Sequence, residues 1–463
     1  MDTADDRPAG WSLPGTPPDG GPGRLERARD WAALQLARRD APVWLLGLVV
    51  ALSIGARTFR LGTPSETSPG QGFIFDEKYY VNAARVMAGV TLPSGDTYSG
   101  ASPAGTDPNG EHPQLGKMII AGSIRLFGDG ALGWRIGAVL FGTFAILALY
   151  WLVRTAGGSA WLALAAATLM AVDNLMLVHS RIAVLDIYCL PLMLAAVALF
   201  MRGRWALAGI VIGVACCMKL FAVYALFAII GLELLRAVRW RFEPWRPSVN
   251  WRRVAAPGIT VLCFAASFAI VLAIIDHYVP PYHNGHTVAS ANPWTHLRFM
   301  YDYGKELTSP DGPKGIASYP WQFWYDVESA NYFTTTVTVR AGDAVTSVDT
   351  VVAFQGMVNP VLLALALPAF AYCGWLAIRR RDDLSLLVVV WYLATWLPSF
   401  FASVLDKRTC YLYYMVMTLP LICVAVARLL AHRLVPRVAL GLWIGLLVAG
   451  FYLLYPFRTY PFT

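Results

Sequence analysis

Long apolar runs, interrupted by arginine-rich linkers, dominate this chain. Stretches long enough to cross about 30 Å of hydrocarbon fall at 42–60, 131–153, 158–178, 183–201, 204–218, 220–236, 254–276, 356–378, 384–403, 410–430 and 437–455. They predict an all-α, polytopic membrane protein of about eleven transmembrane helices. Only Lys219 separates the spans 204–218 and 220–236. A further apolar segment, 118–127, is too short to cross and contains Arg125.

The basic linkers orient these spans. With eleven crossings and a cytoplasmic N-terminus, the cytoplasmic loops hold Arg154, Arg202 with Arg204, the run from Arg236 to Arg253, Arg379 to Arg381, and Arg428 to Arg437. A crossing by 118–127 would move every one of them outside. That segment is therefore expected as an amphipathic helix on the outer surface, and the C-terminus is expected outside. Residues 1–41 read as a disordered Pro/Gly/Asp-rich tail without a signal peptide, followed by a basic amphipathic stretch from Arg24 to Arg39. The region 42–276 forms one transmembrane module with an outer loop at 61–130. A second outer loop follows at 277–355, and the C-terminal helices occupy 356–463.

Composition agrees with a membrane chain: 57% of the 463 residues are hydrophobic and 14% charged. The net charge of +8 lies in membrane-flanking loops, so it points to anionic lipid and not to nucleic acid. The seven cysteines sit in or beside apolar spans without metal-ligand spacing and read as small buried hydrophobes. The loop 277–355, with Asp276 at its edge, has eight acidic and four basic residues. It is also rich in aromatics, including Trp321 and Trp324. These fit an interfacial belt and a surface for stacking on sugar or peptide equally well.

Against this apolar background, the adjacent acids Asp76 and Glu77 stand out. Carboxylates beside a bilayer are costly to keep and point to function; the structural reading is that Asp76 N-caps the following helix. Topology gathers Arg60, His112, Lys117, Arg135, Arg181, Asp186, Lys219, Lys407 and Arg408 at the same face. Cations to hold a phosphate and a carboxylate to take a proton suit a lipid-phosphate enzyme. Snorkelling side chains at helix ends explain part of any such set, Lys407 and Arg408 first. Two acids in a row are too few to form a closed metal site, so no metal or other cofactor is required by the sequence.

Several motifs carry a resemblance. Phe75-Asp76-Glu77-Lys78-Tyr79-Tyr80 resembles the F-D-E-x-x-Y element of the protein O-mannosyltransferases, and His112 to Lys117 their H-P-P-L-G-K element. Asp173-Asn174 and the stretch from Ser180 to Asp186 are similar to their D-N and S-R-I-A-x-L-D. Pro320-Trp321-Gln322, Asn359-Pro360-Val361 and Tyr411 to Tyr414 follow in family order. Gln114 replaces a proline, and Trp324 lies one place beyond the expected second tryptophan.

The resemblance implies a C-type glycosyltransferase fold of bacterial form, since the loop 277–355 is too short for the soluble repeats of eukaryotic members. It implies transfer of mannose from polyprenyl-phosphate-mannose to Ser or Thr hydroxyls of an exported protein or peptide. The reaction would be an inverting single displacement at the outer face of the cytoplasmic membrane. Asp76 would be the base, with Glu77 beside it and more suited to pairing with a cation such as Arg135. Arg181 would hold the phosphate first, helped by Arg135 and Lys219. His112, Lys117, Arg60, Asp186 and Arg408 complete the donor side, and Tyr80, Trp321 and Trp324 the sugar or acceptor side. A lipid or cell-wall glycan acceptor, and a lipid-phosphate flippase without chemistry, are the alternatives.

Overall fold

The computed structural model describes residue 38 and residues 40–65, 71–241, 251–283, 286–288, 292–325, 330–341 and 344–458. The basic stretch from Arg24 to Arg39, except Arg38, lies outside these residues, as does most of the tail.

The chain begins with α1 (Ala41–Thr58), α2 (Glu77–Ala88), α3 (Leu115–Phe127) and α4 (Ala131–Thr155). Next come α5 (Ala160–Ala171), α6 (Asn174–His179), α7 (Asp186–Met201), α8 (Trp205–Cys216), α9 (Tyr224–Arg241) and α10 (Trp251–Tyr278). After the short strands β1 (Tyr282–His283) and β2 (His286–Thr287) comes α11 (Pro293–Glu306). A long hairpin, β3 (Ala330–Ala341) and β4 (Ala344–Gly356), precedes α12 (Pro360–Ala364), α13 (Ala366–Arg379), α14 (Asp383–Asp406), α15 (Met415–Leu430) and α16 (Arg437–Leu453).

The fold is mostly helical, but not wholly. The hairpin β3–β4 occupies the second half of the loop 277–355, where all six residues from Thr334 to Val339 are β-branched. Span length alone does not reveal this hairpin, because the threonines of β3 and the polar residues of β4 keep its apolar runs far shorter than a crossing.

Among the described residues, six helices are long and apolar enough to cross a membrane: Ala41–Thr58, Ala131–Thr155, Leu220–Ala237, Val254–Tyr278, Asp383–Asp406 and Leu412–Leu430. Four shorter apolar helices, α5, α7, α8 and α16, fall within other expected spans. The expected eleven count these as crossings, together with the broken segment α12–α13. The breaks have local causes. Asp173 interrupts 158–178, its carboxylate accepting from Met176 N at 3.0 Å and Asn359 N at 2.9 Å. Lys219, extended at φ −156°, separates α8 from the next turn.

Small residues bring helices close. A Cβ on Gly209 would lie 2.3 Å from Thr260 O, and one on Gly213 2.8 Å from Phe268 N. This Gly-x-x-x-Gly face lets α8 and α10 touch along their backbones, and Ser267 Oγ donates to Ile210 O at 3.0 Å across the contact. At the centre, α15 is almost wholly buried and supplies a rigid wall. Its N-terminal end, the 3₁₀ turn Leu412–Tyr414, forms one side of the cleft that opens at the start of α2.

Candidate active site

At the α2 end of the bundle, a cavity of about 380 Å³ brings together the start of α2, the loop before α3, Lys219, α11 and the segment Arg408–Tyr414. Its charged and titratable lining consists of Asp76, Glu111, His112, Lys219 and Arg408, with tyrosines 79, 80, 303, 411, 413 and 414 around them.

The two adjacent acids have separate fates. Glu77 is fully buried and faces away from the cavity. Its Oε1 accepts from Arg135 Nε at 2.8 Å and Ala183 N at 2.9 Å. Its Oε2 accepts from Arg135 Nη2 and Ile74 N, both at 2.8 Å. A charge-assisted fork of this kind is strong and directional. It fixes the first turn of α2 to α4 and to the loop after α6, which places Glu77 in the scaffold beside the cavity and not in its lining. Arg135 is spent in the same network, donating also to the carbonyls of Leu61, Pro64 and Gly72.

Asp76 opens α2 but makes no side-chain capping bond. Its carboxyl faces the cavity, where desolvation, opposed mainly by Lys219, raises its pKa to about 6. It is half-buried, ionised near neutral pH and held close to the pKa that suits a general base.

Lys219 reaches the cavity from its extended position between helices and is held by Asp186 at 2.8 and 2.7 Å. Its ammonium lies 5.2 Å from the Phe221 ring centre and 5.4 Å from that of Tyr413. Arg408 lies across the cavity, packed over Gly304, where a Cβ would come within 3.2 Å of its Nη1. Among the described residues it makes no ion pair. The expectation that Arg408 merely snorkels is therefore not met by its placement. His112 sits against Tyr80 and Tyr303, with ring centres 5.8 and 6.4 Å away. Burial, then Lys219, Lys117 and Arg408, hold its pKa well below the ordinary value, so it is a neutral imidazole.

Other expected site residues fall elsewhere. Arg181 does not line the cavity. Its guanidinium donates to Phe59 O at 2.8 Å, more distantly to Ala56 O and the Tyr455 hydroxyl at 3.4 Å each, and lies 4.5 Å from the Phe457 ring centre. It joins α1 to the end of α16. Lys117 is buried, with Nζ 2.5 Å from Asp107 Oδ2 and 2.9 Å from His112 O, and shapes the loop that presents Glu111 and His112. Arg60, at φ +51°, lies 5.7 Å from the Phe59 ring and does not reach the cavity. Trp324 packs on Tyr392 at 4.9 Å, while Trp321 stacks on Tyr319 at 4.4 Å and lines a separate groove beside Lys407. Tyr80 does line the cavity.

Sequence reasoning missed Glu111, whose carboxyl is raised by burial, and the tyrosines of the wall. The signal for Glu111 was its place directly before the His112 element. Gln114, the departure from the proline pattern, is used structurally. Its Nε2 donates to Asp276 Oδ1 at 2.6 Å, and the same oxygen meets His296 Nδ1 at 2.8 Å. No group of three His, Cys, Asp or Glu residues able to hold a metal occurs among the described residues.

A helical membrane bundle carrying a long hairpin and an aromatic cleft, with a carboxylate that makes no capping bond set among cations, has the architecture of the C-type glycosyltransferase fold. Residues 129–280 match the family described as dolichyl-phosphate-mannose-protein mannosyltransferase. The chain is 25% identical to the polyprenol-phosphate-mannose–protein mannosyltransferase of Mycolicibacterium smegmatis, covering 96% of this chain and 92% of that protein. It is 25% identical to the protein of the same description in Mycobacterium tuberculosis, over 95% and 92% of the two lengths. Its fold resembles that of the S. cerevisiae protein O-mannosyltransferase Pmt1–Pmt2 complex bound to the sugar donor, with TM-score 0.64 and 11% identity over 93% and 91% of the two chains. The resemblance read from the motifs therefore holds: this chain is a glycosyltransferase related to the protein mannosyltransferases.

Proposed function

We propose that this enzyme transfers mannose from polyprenyl-phosphate-mannose to a Ser or Thr hydroxyl of an exported protein, at the outer face of the cytoplasmic membrane. One observation carries the reading: a half-buried carboxylate without a capping role, Asp76, shares a cavity with Lys219 and Arg408. Similarity to proteins named for this donor and acceptor class supports the choice of substrates.

In the proposed reaction, Asp76 takes the proton from the acceptor hydroxyl as its oxygen attacks the anomeric carbon. The bond from that carbon to the phosphate oxygen breaks, and its electron pair leaves on polyprenyl phosphate, which gains one negative charge. A positioned base contributes about 10²–10⁴-fold. The developing charge needs cations already in place. Arg408 meets that need as the less committed cation, through a guanidinium able to grip two phosphate oxygens. Lys219, fixed and partly compensated by Asp186, supplies a directed ammonium. His112 remains neutral and can donate a hydrogen bond to sugar or phosphate. The tyrosine wall offers stacking surface and hydroxyls to a hexose. Arg181 and Arg135 act on the scaffold.

Mass spectrometry of exported proteins from cells with and without the gene tests this reading. Loss of hexose from Ser/Thr-containing peptides in the deletion strain is expected. Unchanged peptide glycosylation with altered lipid or cell-wall glycan would reassign the acceptor.

A further inference from the structure

The residue before the proposed base adopts an unusual backbone conformation. Phe75 has φ +57°, in the left-handed region that costs a bulky L-residue about 1 kcal/mol or more. Something must hold it there, and the holder is Tyr332 of β3. The Phe75 amide donates to Tyr332 O at 2.9 Å, and the two rings stack at 4.2 Å and 17°.

Tyr332 is itself aimed by three features. The β3–β4 register slips between Asn331 and Phe333, which pair with Gln355 and Phe354, so Tyr332 is the extra residue of a bulge. Bulges re-aim one side chain out of the regular ladder. Gly356 leaves room for the ring, since a Cβ there would sit 2.2 Å from Tyr332 Cζ. The hydroxyl meets Nε2 of the fully buried His179 at 2.8 Å, anchoring the ring from the far side. Meanwhile the four-bond Glu77 clamp holds the residue after Asp76. The base therefore stands between two fixed neighbours and needs no bond of its own.

We infer that Tyr332 is a positioning residue for Asp76: the bulge in β3, wedged between His179 and Gly356, holds Phe75 in its left-handed conformation and so directs the Asp76 carboxyl into the cleft. This rests on the assignment of Asp76 as the base. Displacement of such a group by a fraction of an ångström slows chemistry without loosening the donor, which is held by other residues.

The test is a mutant cycle in the full-length protein in membranes, with donor and a Ser/Thr peptide. Tyr332→Leu retains a buried apolar side chain but loses the stack and the hydroxyl. It should lower kcat about 10- to 100-fold with donor KM little changed. Tyr332→Phe, which keeps the stack, should recover most of that loss, and Gly356→Ala should imitate Tyr332→Leu. The acid limb of the kcat–pH profile should move to lower pH in Tyr332→Leu, because a carboxyl that swings toward water loses the desolvation that raised it. Lys78, Glu111, His112, Arg408 and the Lys219–Asp186 pair also face this carboxyl and are unchanged in the variant. A purely structural role would lower the amount of folded enzyme and leave that limb in place.

In an Asp76→Asn background, Tyr332→Leu should cost nothing further. An undiminished kcat in folded Tyr332→Leu, or an equal further loss in the Asp76→Asn background, would overturn the inference. Wild-type turnover by Asp76→Asn alone would overturn the base assignment and the inference with it, a result distinct from failure at Tyr332.

Discussion

Replacing Asp76 by Asn should stabilise the fold while nearly abolishing turnover. Mutations in a half-buried polar site usually destabilise, so the sign of this effect is diagnostic. In the wild-type enzyme the carboxyl rises from an ordinary 3.8 to about 6, chiefly because burial disfavours its charge. That elevation corresponds to about 3 kcal/mol of folded-state cost when the group is ionised. Because the folded-state pKa lies above the unfolded one, the cost is absent below about pH 4 and complete above about pH 6. Asn is neutral, close in size, and escapes it. No capping bond is lost, since Asp76 makes none. Thermal unfolding in detergent should therefore show Asp76→Asn more stable than wild type at pH 7, with the advantage vanishing as pH falls to 4. Turnover should fall by about 10²–10⁴-fold at constant donor affinity. An Asn variant that is less stable at pH 7, or that turns over at a near-normal rate, would refute the assignment of Asp76 as a desolvated base.

The neighbouring acid should behave oppositely. Glu77→Gln leaves the buried Arg135 without its counter-charge and should cost about 3–5 kcal/mol, read as a sharp fall in Tm or in folded yield. Arg408→Gln should weaken donor binding tenfold or more, about 1.4 kcal/mol, in an equilibrium binding assay. Arg181→Lys should lower thermal stability and leave donor KM unchanged, because the guanidinium serves Phe59 O and its neighbours and not the cleft. For orientation, a Cys at the exposed Asp311 should react with a membrane-impermeant reagent added outside, and one at Ser248 should not. The reverse pattern would place the cleft on the cytoplasmic side.

Much of the scaffold was legible because the bilayer is a simple solvent. It demands apolar length and internal backbone bonding, both visible one residue at a time. The long apolar helices, the short helix at Leu115–Phe127 and the family motifs were all open to reading in this way. Chemistry at the cleft was less so. Asp76 and Glu77 are adjacent in sequence, yet one faces a cavity and the other an arginine 58 positions away. Helical geometry turns successive side chains about 100° apart, and only packing decides what each direction contains.

By itself, the sequence determined the kind of solvent this protein lives in, where its long apolar helices lie, and the identity of the acid pair and the cations around it. Tertiary structure alone decided which of those cations are available. Arg181 and Arg135 are consumed by carbonyls and Glu77, because a buried guanidinium must satisfy its donors where it lies. Arg408 escapes that demand by lining an open cavity. The hairpin that carries Tyr332 was likewise invisible as a partner of Phe75. Its contact spans more than 250 residues of chain, and no local pattern records which backbone will arrive to hold a strained one.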